Sequence, residues 1–210
     1  MVPIRENLVP KDKYAIKCPY TRTPTRVVIH NTANDAPAAN EISYMRYNDL
    51  EISFHYAVDD VNIVQGIPEN RNAWASGDGH GKGNMEGIHI EICYTKSGGE
   101  KFDKAEQNAA EFTASLLKKY GWAIDKVTKH RDYDGKYCPH RTLDRGWQRF
   151  LSMVKRYMEP AKAPVASKFI PYLIRKNCRD ALNIRKGPST NYGILGQIKD
   201  TLRYTIVEEH

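Results

Sequence analysis

Apolar residues recur along the first 158 residues with two different periods, which predicts strands alternating with helices. Residues 26–30, RVVIH, form a β-branched run typical of a buried strand, and FHYAVDDVNIVQ at 54–65 contains two apolar runs that predict a β-hairpin. IHIEICY at 88–94 predicts another strand, and residues 127–130 a short one. Strands interleaved with helices indicate an α/β domain with one central sheet.

Helices are predicted where apolar residues recur every three or four positions. The predicted spans are about 38–48, 104–119 and 143–154. The middle one is the clearest, because Asp103 and Glu106 have the spacing of a capping box at its start. Before it lies the glycine-rich stretch ASGDGHGKGNMEG at 75–87, which predicts a loop.

The composition changes after residue 158, which divides the chain into parts. EPAKAPVAS at 159–167 is rich in proline and alanine and predicts a semi-rigid linker. Beyond it, short β-rich segments broken by glycine and proline predict a small all-β module at 168–210. Residues 1–158 would then form the larger, N-terminal domain.

Composition and charge narrow the class of protein. Hydrophobic residues make up 40% and charged residues 27%, and no run approaches the about 20 apolar residues that span a bilayer, so no membrane insertion is expected. The first residues lack the apolar core of a secretory signal. A net charge of +7 suits an acidic polymer or nucleic acid. No recognition helix or finger motif is present, so nucleic acid is not the expected partner.

Three candidate metal ligands lie at the ends of predicted strands or in the loop after one. They are His30, His130 and Cys138. Zinc binds imidazole and thiolate, and a catalytic zinc uses three protein ligands and leaves one position for water. His140 lies close to Cys138 and is a rival ligand. Spacing alone leaves open whether these histidines are ligands or packed side chains.

Three motifs around these residues resemble one known family. They are VVIHNTA at 27–33, AWASGDGHGKGNMEGIHIEI at 73–92 and KHRDYDGKYCPH at 129–140. Over residues 20–157 the chain resembles the zinc-dependent N-acetylmuramoyl-L-alanine amidases, a group shared by phage endolysins, bacterial autolysins and peptidoglycan recognition proteins. The resemblance implies a single central mixed β-sheet flanked by helices. It also implies hydrolysis of the bond between N-acetylmuramic acid and L-alanine in bacterial cell-wall peptidoglycan.

The resemblance also implies roles for individual residues. His30, His130 and Cys138 would bind one Zn²⁺ ion. Glu91, the acidic residue of the central strand, would be the general base, and Lys136 would stabilise negative charge in the transition state. The alternative for Glu91 is a carboxylate that faces solvent or orients a ligand histidine. The alternative for Lys136 is an ordinary solvated lysine.

Four further residues are candidates for substrate binding. Trp74 opens the glycine-rich loop and would line a glycan groove, or else belong to the core, and Asn84 lies further along that loop. Phe54 stands where some relatives have a tyrosine beside the metal, so proton transfer through a tyrosine is not expected here. Ala75 stands where relatives commonly have a histidine, and His80 is the candidate to replace it.

The last thirty residues resemble a second family. ALNIRKGPSTNYGILGQIKDTLRYTIVEE at 181–209 is similar to the bacterial SH3 (SH3b) modules of wall hydrolases, although the chain stops sooner than such a module does. A shortened barrel has an unpaired sheet edge, which makes a homodimer through this module an expectation. The alternative is a vestigial tail.

Together these resemblances predict an endolysin of a phage or prophage of Gram-positive bacteria, made in the host cytoplasm without a signal peptide and acting on the wall after release. A bacterial autolysin is the first alternative. A non-catalytic peptidoglycan-binding protein of the same fold is the second, although such relatives typically lose the cysteine ligand that Cys138 provides.

Overall fold

The computed structural model describes residues 1–159, 172–175, 181–186, 189–199 and 203–206. The chain divides into two compact units, Met1–Ala161 and Lys162–His210. This division falls within the stretch 159–167 that the sequence analysis assigned to a linker, of which residues 160–167 lie outside the described residues.

The first unit is built on one six-stranded mixed sheet. Its strands are β1 (Ile4–Glu6), β2 (Arg26–Asn31), β3 (Tyr56–Val58), β4 (Ile63–Gln65), β5 (Gly87–Ile92) and β6 (Val127–Lys129). They lie in the order β1-β4-β3-β5-β2-β6. Neighbours are parallel except β3 and β4, which form the predicted hairpin. The predicted α/β class with one central mixed sheet is confirmed.

Seven helices accompany this sheet in the described part of the first unit. They are α1 (Tyr14–Lys17), α2 (Ala38–Tyr47), α3 (Lys82–Glu86), α4 (Gly99–Tyr120), α5 (Arg131–Asp134), α6 (His140–Asp144) and α7 (Trp147–Met158), with 3₁₀ turns at Lys11–Lys13 and Ile124–Lys126. The long helix α4 packs on β3 and β5 and carries α7 on its side. Phe112 of α4 meets Tyr56 of β3 edge to face, with ring centroids 4.6 Å apart.

The central strands carry apolar residues on one face and polar, ionisable residues near the end of the other face, and this difference determines where the functional site lies. Alternate strand residues point to opposite faces. Ile29 and Ile90 are register partners and are fully buried in the core. The next register pair, His30 and Glu91, therefore lies on the other face, near the carboxyl ends of two parallel strands. Ligands commonly bind at this edge of an open α/β sheet.

Several predicted boundaries were wrong. Helix α4 begins at Gly99 and not at 104, so Asp103 and Glu106 form no capping box. Their carboxylates instead pair with Arg145 and Arg149 of the C-terminal helical region. The single helix predicted over 143–154 is divided into α6 and α7 at Gly146, whose φ of +100° ends one helix before the next begins.

The described residues of the second unit form four strands. β7 (Tyr172–Arg175) pairs with β10 (Arg203–Ile206), and β8 (Leu182–Arg185) pairs with β9 (Ile194–Ile198), both antiparallel. The bacterial SH3 assignment and the homodimer stay predictions. None of the helices in the described part of the chain has the length and apolar character needed to cross a bilayer.

Candidate metal centre and its groove

The structure brings the three predicted metal ligands together. His30 is near the end of β2, His130 directly follows β6, and Cys138 lies in the turn after α5. All three are buried, and their ligand atoms lie within 4.8 Å of one another. Because β2 and β6 are parallel neighbours, their carboxyl ends place the two histidines side by side. His140, the rival ligand, is not part of this group among the described residues.

Each ligand histidine has one ring nitrogen held by a partner outside the group. Nε2 of His30 lies 3.0 Å from Nδ1 of His89, and Nε2 of His130 lies 3.1 Å from Oδ2 of Asp134. This leaves the two Nδ1 atoms facing each other, 3.2 Å apart. Two nitrogens bound tetrahedrally to one zinc at about 2.0–2.1 Å would lie about 3.3 Å apart. The spacing of the two imidazole nitrogens therefore fits a zinc ion.

The protonation chemistry of the donors also fits a cation. Burial and the neighbouring imidazoles hold the pKa of His30 well below its usual value, so the ring is neutral, as a ligand must be. Burial raises the pKa of the Cys138 thiol to about 12. A thiol in such surroundings ionises when a metal is present to stabilise the thiolate. The backbone N–H of Asn31 donates a hydrogen bond to this thiol.

Glu91 and Lys136 line the same cavity as the three ligands. This cavity has a volume of about 300 Å³, and Phe54 and Ala75 also line it. Burial, together with the charge of Glu41, raises the pKa of Glu91 to about 8, against the lowering effect of Lys136. The geometry thus brings a carboxyl group and an ammonium group to the cavity that contains the metal donors.

The glycine-rich loop forms a second cavity beside the first. This cavity, of about 490 Å³, is lined by Tyr20, Trp74 and His80 among others, and it shares Trp74 with the metal-side cavity. Its three rings meet edge to face, with centroids 5.4–6.2 Å apart. His80 is absent from the residues that line the metal-side cavity, so it does not take the place of Ala75 there.

Asn84 also lines this second cavity, but its side chain is committed to the loop. Its Oδ1 accepts hydrogen bonds from the backbone N–H groups of Ala75 and Ser76, at 2.9 and 2.8 Å. Its Nδ2 donates to the carbonyl of Gly79. The side chain is almost fully buried, so its direct effect is on the shape of the loop.

Sequence reasoning missed the residues that hold the site in place. His89 was detectable, because it lies two residues before Glu91 and strand residues two apart share a face. Asp134 was hidden because the stretch between His130 and Cys138 was interpreted as a loop, although α5 puts Asp134 one helical turn after His130. Lys17 is fully buried and its ammonium donates to Asn48 and to the carbonyl groups of the loop that precedes β3.

Comparison with known proteins identifies the family to which this fold and site belong. The family model described as N-acetylmuramoyl-L-alanine amidase matches residues 20–141, which include all three metal donors, Glu91 and Lys136. The chain belongs to the N-acetylmuramoyl-L-alanine amidase family. The match ends at the second residue of α6, so it includes five of the six strands of the sheet and all three candidate metal donors.

Individual relatives agree with this assignment. The chain is 50% identical over 181 residues to the N-acetylmuramoyl-L-alanine amidase XlyB of Bacillus subtilis, which covers 83% of this chain and 57% of XlyB. It is 50% identical over 176 residues to the amidase CwlA of the same organism, covering 80% of this chain and 65% of CwlA. The chain thus spans less than two thirds of the length of these two relatives.

A solved structure shares the architecture of the first unit. The structure of PlyL is 52% identical to this chain and superposes with a TM-score of 0.72. The superposition covers 73% of this chain and 97% of PlyL.

Proposed function

We propose that the protein is a zinc-dependent amidase that cleaves the bond between N-acetylmuramic acid and L-alanine in peptidoglycan. The observation that carries the proposal is the meeting of His30, His130 and Cys138 within 4.8 Å, in a cavity that Glu91 also lines. Membership of the family supports the choice of bond. Cys138 and Glu91 are both present, which argues against a protein of this fold that binds peptidoglycan without cleaving it.

An amide is a weak electrophile, and its hydrolysis needs an activated water and a place for negative charge. Zinc, when bound, lowers the pKa of a coordinated water and polarises the carbonyl group. Glu91 accepts the proton of the attacking water and passes it to the nitrogen of the leaving L-alanine. Its raised pKa supports this role, because a carboxyl group that holds a proton readily can also return it.

Lys136 acts on the charge that develops on the carbonyl oxygen. Its backbone N–H donates to Oδ1 of Asp134 at 2.8 Å, which fixes the turn that carries the lysine. Its side chain lines the metal-side cavity together with Glu91. An ammonium group held at this position stabilises the transition state more than the neutral substrate.

The groove around the metal donors has room for both parts of the substrate. The second cavity and a third one, of about 370 Å³ and lined by Glu41 and Tyr44 among others, each share residues with the metal-side cavity. Trp74, Phe54, His80 and Asn84 line the walls of this groove. A long polymer can therefore lie across the metal centre with its scissile bond in the middle.

Identification of the bond that the protein cleaves in peptidoglycan tests this proposal. The full chain is incubated with purified Bacillus walls, and the soluble products are analysed by mass spectrometry. New free amino termini on L-alanine are expected, with loss of the reaction after chelation and recovery on addition of zinc. New reducing ends would mean a glycosidase, and turnover that survives chelation would remove zinc from the reaction.

We assign the biological role of this activity to lysis, as an endolysin of a phage or prophage of Gram-positive bacteria. The Bacillus origin of the relatives XlyB and CwlA supports a Gram-positive wall as the target. In this role the protein is made in the cytoplasm and meets the wall after release. A bacterial autolysin of the same activity is the alternative. The protein is expressed in host cells with and without disruption of the cell membrane. Lysis only after disruption would support the endolysin role.

A further inference from the structure

Asp134 makes three contacts that join separate parts of the site. Its Oδ2 lies 3.1 Å from Nε2 of His130. Its Oδ1 accepts a hydrogen bond of 2.8 Å from the backbone N–H of Lys136, two residues before Cys138. On its remaining side it packs against Gly77 of the glycine-rich loop, where an added Cβ would lie 2.2 Å from Oδ2. One carboxylate thus touches a metal donor, the turn that carries another donor, and the wall of the groove.

We propose that Asp134 is a positioning residue of the metal centre, and that Gly77 provides the space in which its carboxylate reaches His130. The proposal rests on the proposed function, because it assumes that His30, His130 and Cys138 bind zinc. It assigns to the glycine-rich loop a second task besides lining the groove, which is to set the geometry of a metal ligand.

The chemical reason lies in the two nitrogens of the His130 ring. A carboxylate next to Nε2 accepts the proton of that nitrogen, so Nδ1 keeps its lone pair and faces Nδ1 of His30. The carboxylate also fixes the rotation of the ring and increases its basicity as a ligand. Without it, both tautomers and several ring orientations become available, and the ligand must be ordered when the metal binds.

The contact with Gly77 makes this arrangement sensitive to the loop. Gly77 has a φ of +68°, a conformation that glycine adopts without strain. Any side chain there would meet Oδ2, Cγ and Cβ of Asp134 within 3.2 Å, so the carboxylate or the loop has to move. Gly79, in the same loop, has a φ of +60° and no atom within 4 Å of an added Cβ. Substitution of either glycine strains the backbone, but only substitution of Gly77 also brings a side chain against Asp134.

Zinc affinity of the full chain, measured by competition with a chromophoric chelator, tests the role of Asp134. Asp134→Ala should weaken zinc binding by about 10–100-fold. Asp134→Asn should weaken it less, because the amide oxygen still accepts from Nε2 of His130. Asp132→Ala is the matched control, since the Asp132 carboxylate also accepts a backbone N–H, that of Lys129, but touches no metal donor. It should leave zinc affinity unchanged.

The glycine pair tests the coupling to the loop. Gly77→Ala should lower zinc affinity, whereas Gly79→Ala should not, although both substitutions strain the backbone. In the Asp134→Ala background the added Gly77→Ala change should have no further effect on zinc affinity, because the carboxylate it displaces is gone. The visible absorption of the cobalt-substituted protein should change for Gly77→Ala and stay as in the wild type for Gly79→Ala.

The outcomes separate this inference from the proposed function. Wild-type zinc affinity in Asp134→Ala, or an equal loss in Asp132→Ala, would overturn the positioning role. Equal losses in Gly77→Ala and Gly79→Ala would overturn the coupling to the loop. If Asp134→Ala does not fold, as judged by circular dichroism, Asp134→Asn and the glycine pair decide the same question. Failure of the wild type to bind zinc at all would instead refute the proposed function.

Discussion

At the scale of single residues, Glu91 has the surroundings of a proton acceptor. One of its carboxylate oxygens is buried without a hydrogen-bond partner among the described residues. Burial, with the charge of Glu41, raises its pKa to about 8. A carboxylate that served only to orient a ligand histidine would be hydrogen-bonded to that ring, but the outer nitrogens of both ligand histidines contact other residues. The free oxygen of Glu91 is thus available to a water in the cavity.

Replacement of Glu91 by glutamine should separate chemistry from metal binding. Glu91→Gln keeps the size of the side chain and removes its basicity, so we expect turnover to fall by about 10²–10⁴-fold. Zinc content, measured on the same preparation, should stay at the wild-type level. Glu100→Gln, at an exposed position in the first turn of α4, is the control and should retain full turnover. If the variant lost zinc as well as activity, Glu91 would be needed for metal binding and its role as general base would be contradicted.

The same scale shows which residues a sequence can reveal. His30, His130 and Cys138 were predicted because their motifs resemble those of a known family, and the structure places their donor atoms together. Asp134 escaped because its role depends on the ring nitrogen of His130 that it faces, a relation that exists only after α5 has formed. His89 was within reach of the sequence, since the alternation of strand residues puts it on the same face as Glu91.

At the scale of elements, the glycine-rich loop between Trp74 and α3 owes its shape to two side chains. Asp78 accepts hydrogen bonds from the backbone N–H groups of Gly83 and Asn84, at the start of α3. Asn84 in turn holds the backbone of Ala75 and Ser76. A loop this rich in glycine loses much conformational entropy on folding, so these bonds decide whether the groove is formed before the substrate arrives.

Asn84→Ala should therefore destabilise the protein and not simply weaken substrate binding. The change leaves two backbone N–H groups and one carbonyl without their partner, and we expect the free energy of unfolding to fall by about 1–3 kcal/mol. Urea denaturation followed by circular dichroism measures this loss. Asn70→Ala, at an exposed position, should change stability little. Unchanged stability with weaker substrate binding would instead give Asn84 a direct contact with the substrate.

Strands and helices were predicted correctly where the spacing of apolar residues reflects burial in the core. The prediction failed where contacts between distant residues determine whether an element forms or where it begins. The strand at 26–30 and the hairpin within 54–65 were predicted correctly because their apolar runs fill the core. β1 was missed because its three residues are exposed and show no apolar pattern. It exists through pairing with β4. The start of α4 was misplaced because Asp103 is held by Arg145, a partner 42 positions away in the sequence.

At the scale of the whole molecule, the excess of positive over negative charge is concentrated in the second unit. Residues 160–210 contain nine of the 32 lysines and arginines but four of the 25 acidic residues, so this quarter of the chain carries most of the net charge of +7. An excess of positive charge favours association with an anionic polymer at a distance set by ionic strength. This distribution supports a wall-binding role for the second unit, with catalysis left to the first.

Removal of the second unit should therefore separate binding from catalysis. Residues 1–159 contain the six-stranded sheet, the helices that cover it and all metal donors, so this fragment should fold and cleave small soluble muropeptides as fast as the full chain. On insoluble walls it should act more slowly, because it lacks the second unit that we expect to hold the full chain at its substrate. Pelleting with purified walls measures the difference, with the full chain expected in the pellet and the fragment in the supernatant.

Added salt should release part of the bound full chain, since charge contributes to its retention. Equal pelleting of both proteins would assign wall binding to the catalytic groove alone and leave the second unit without this role.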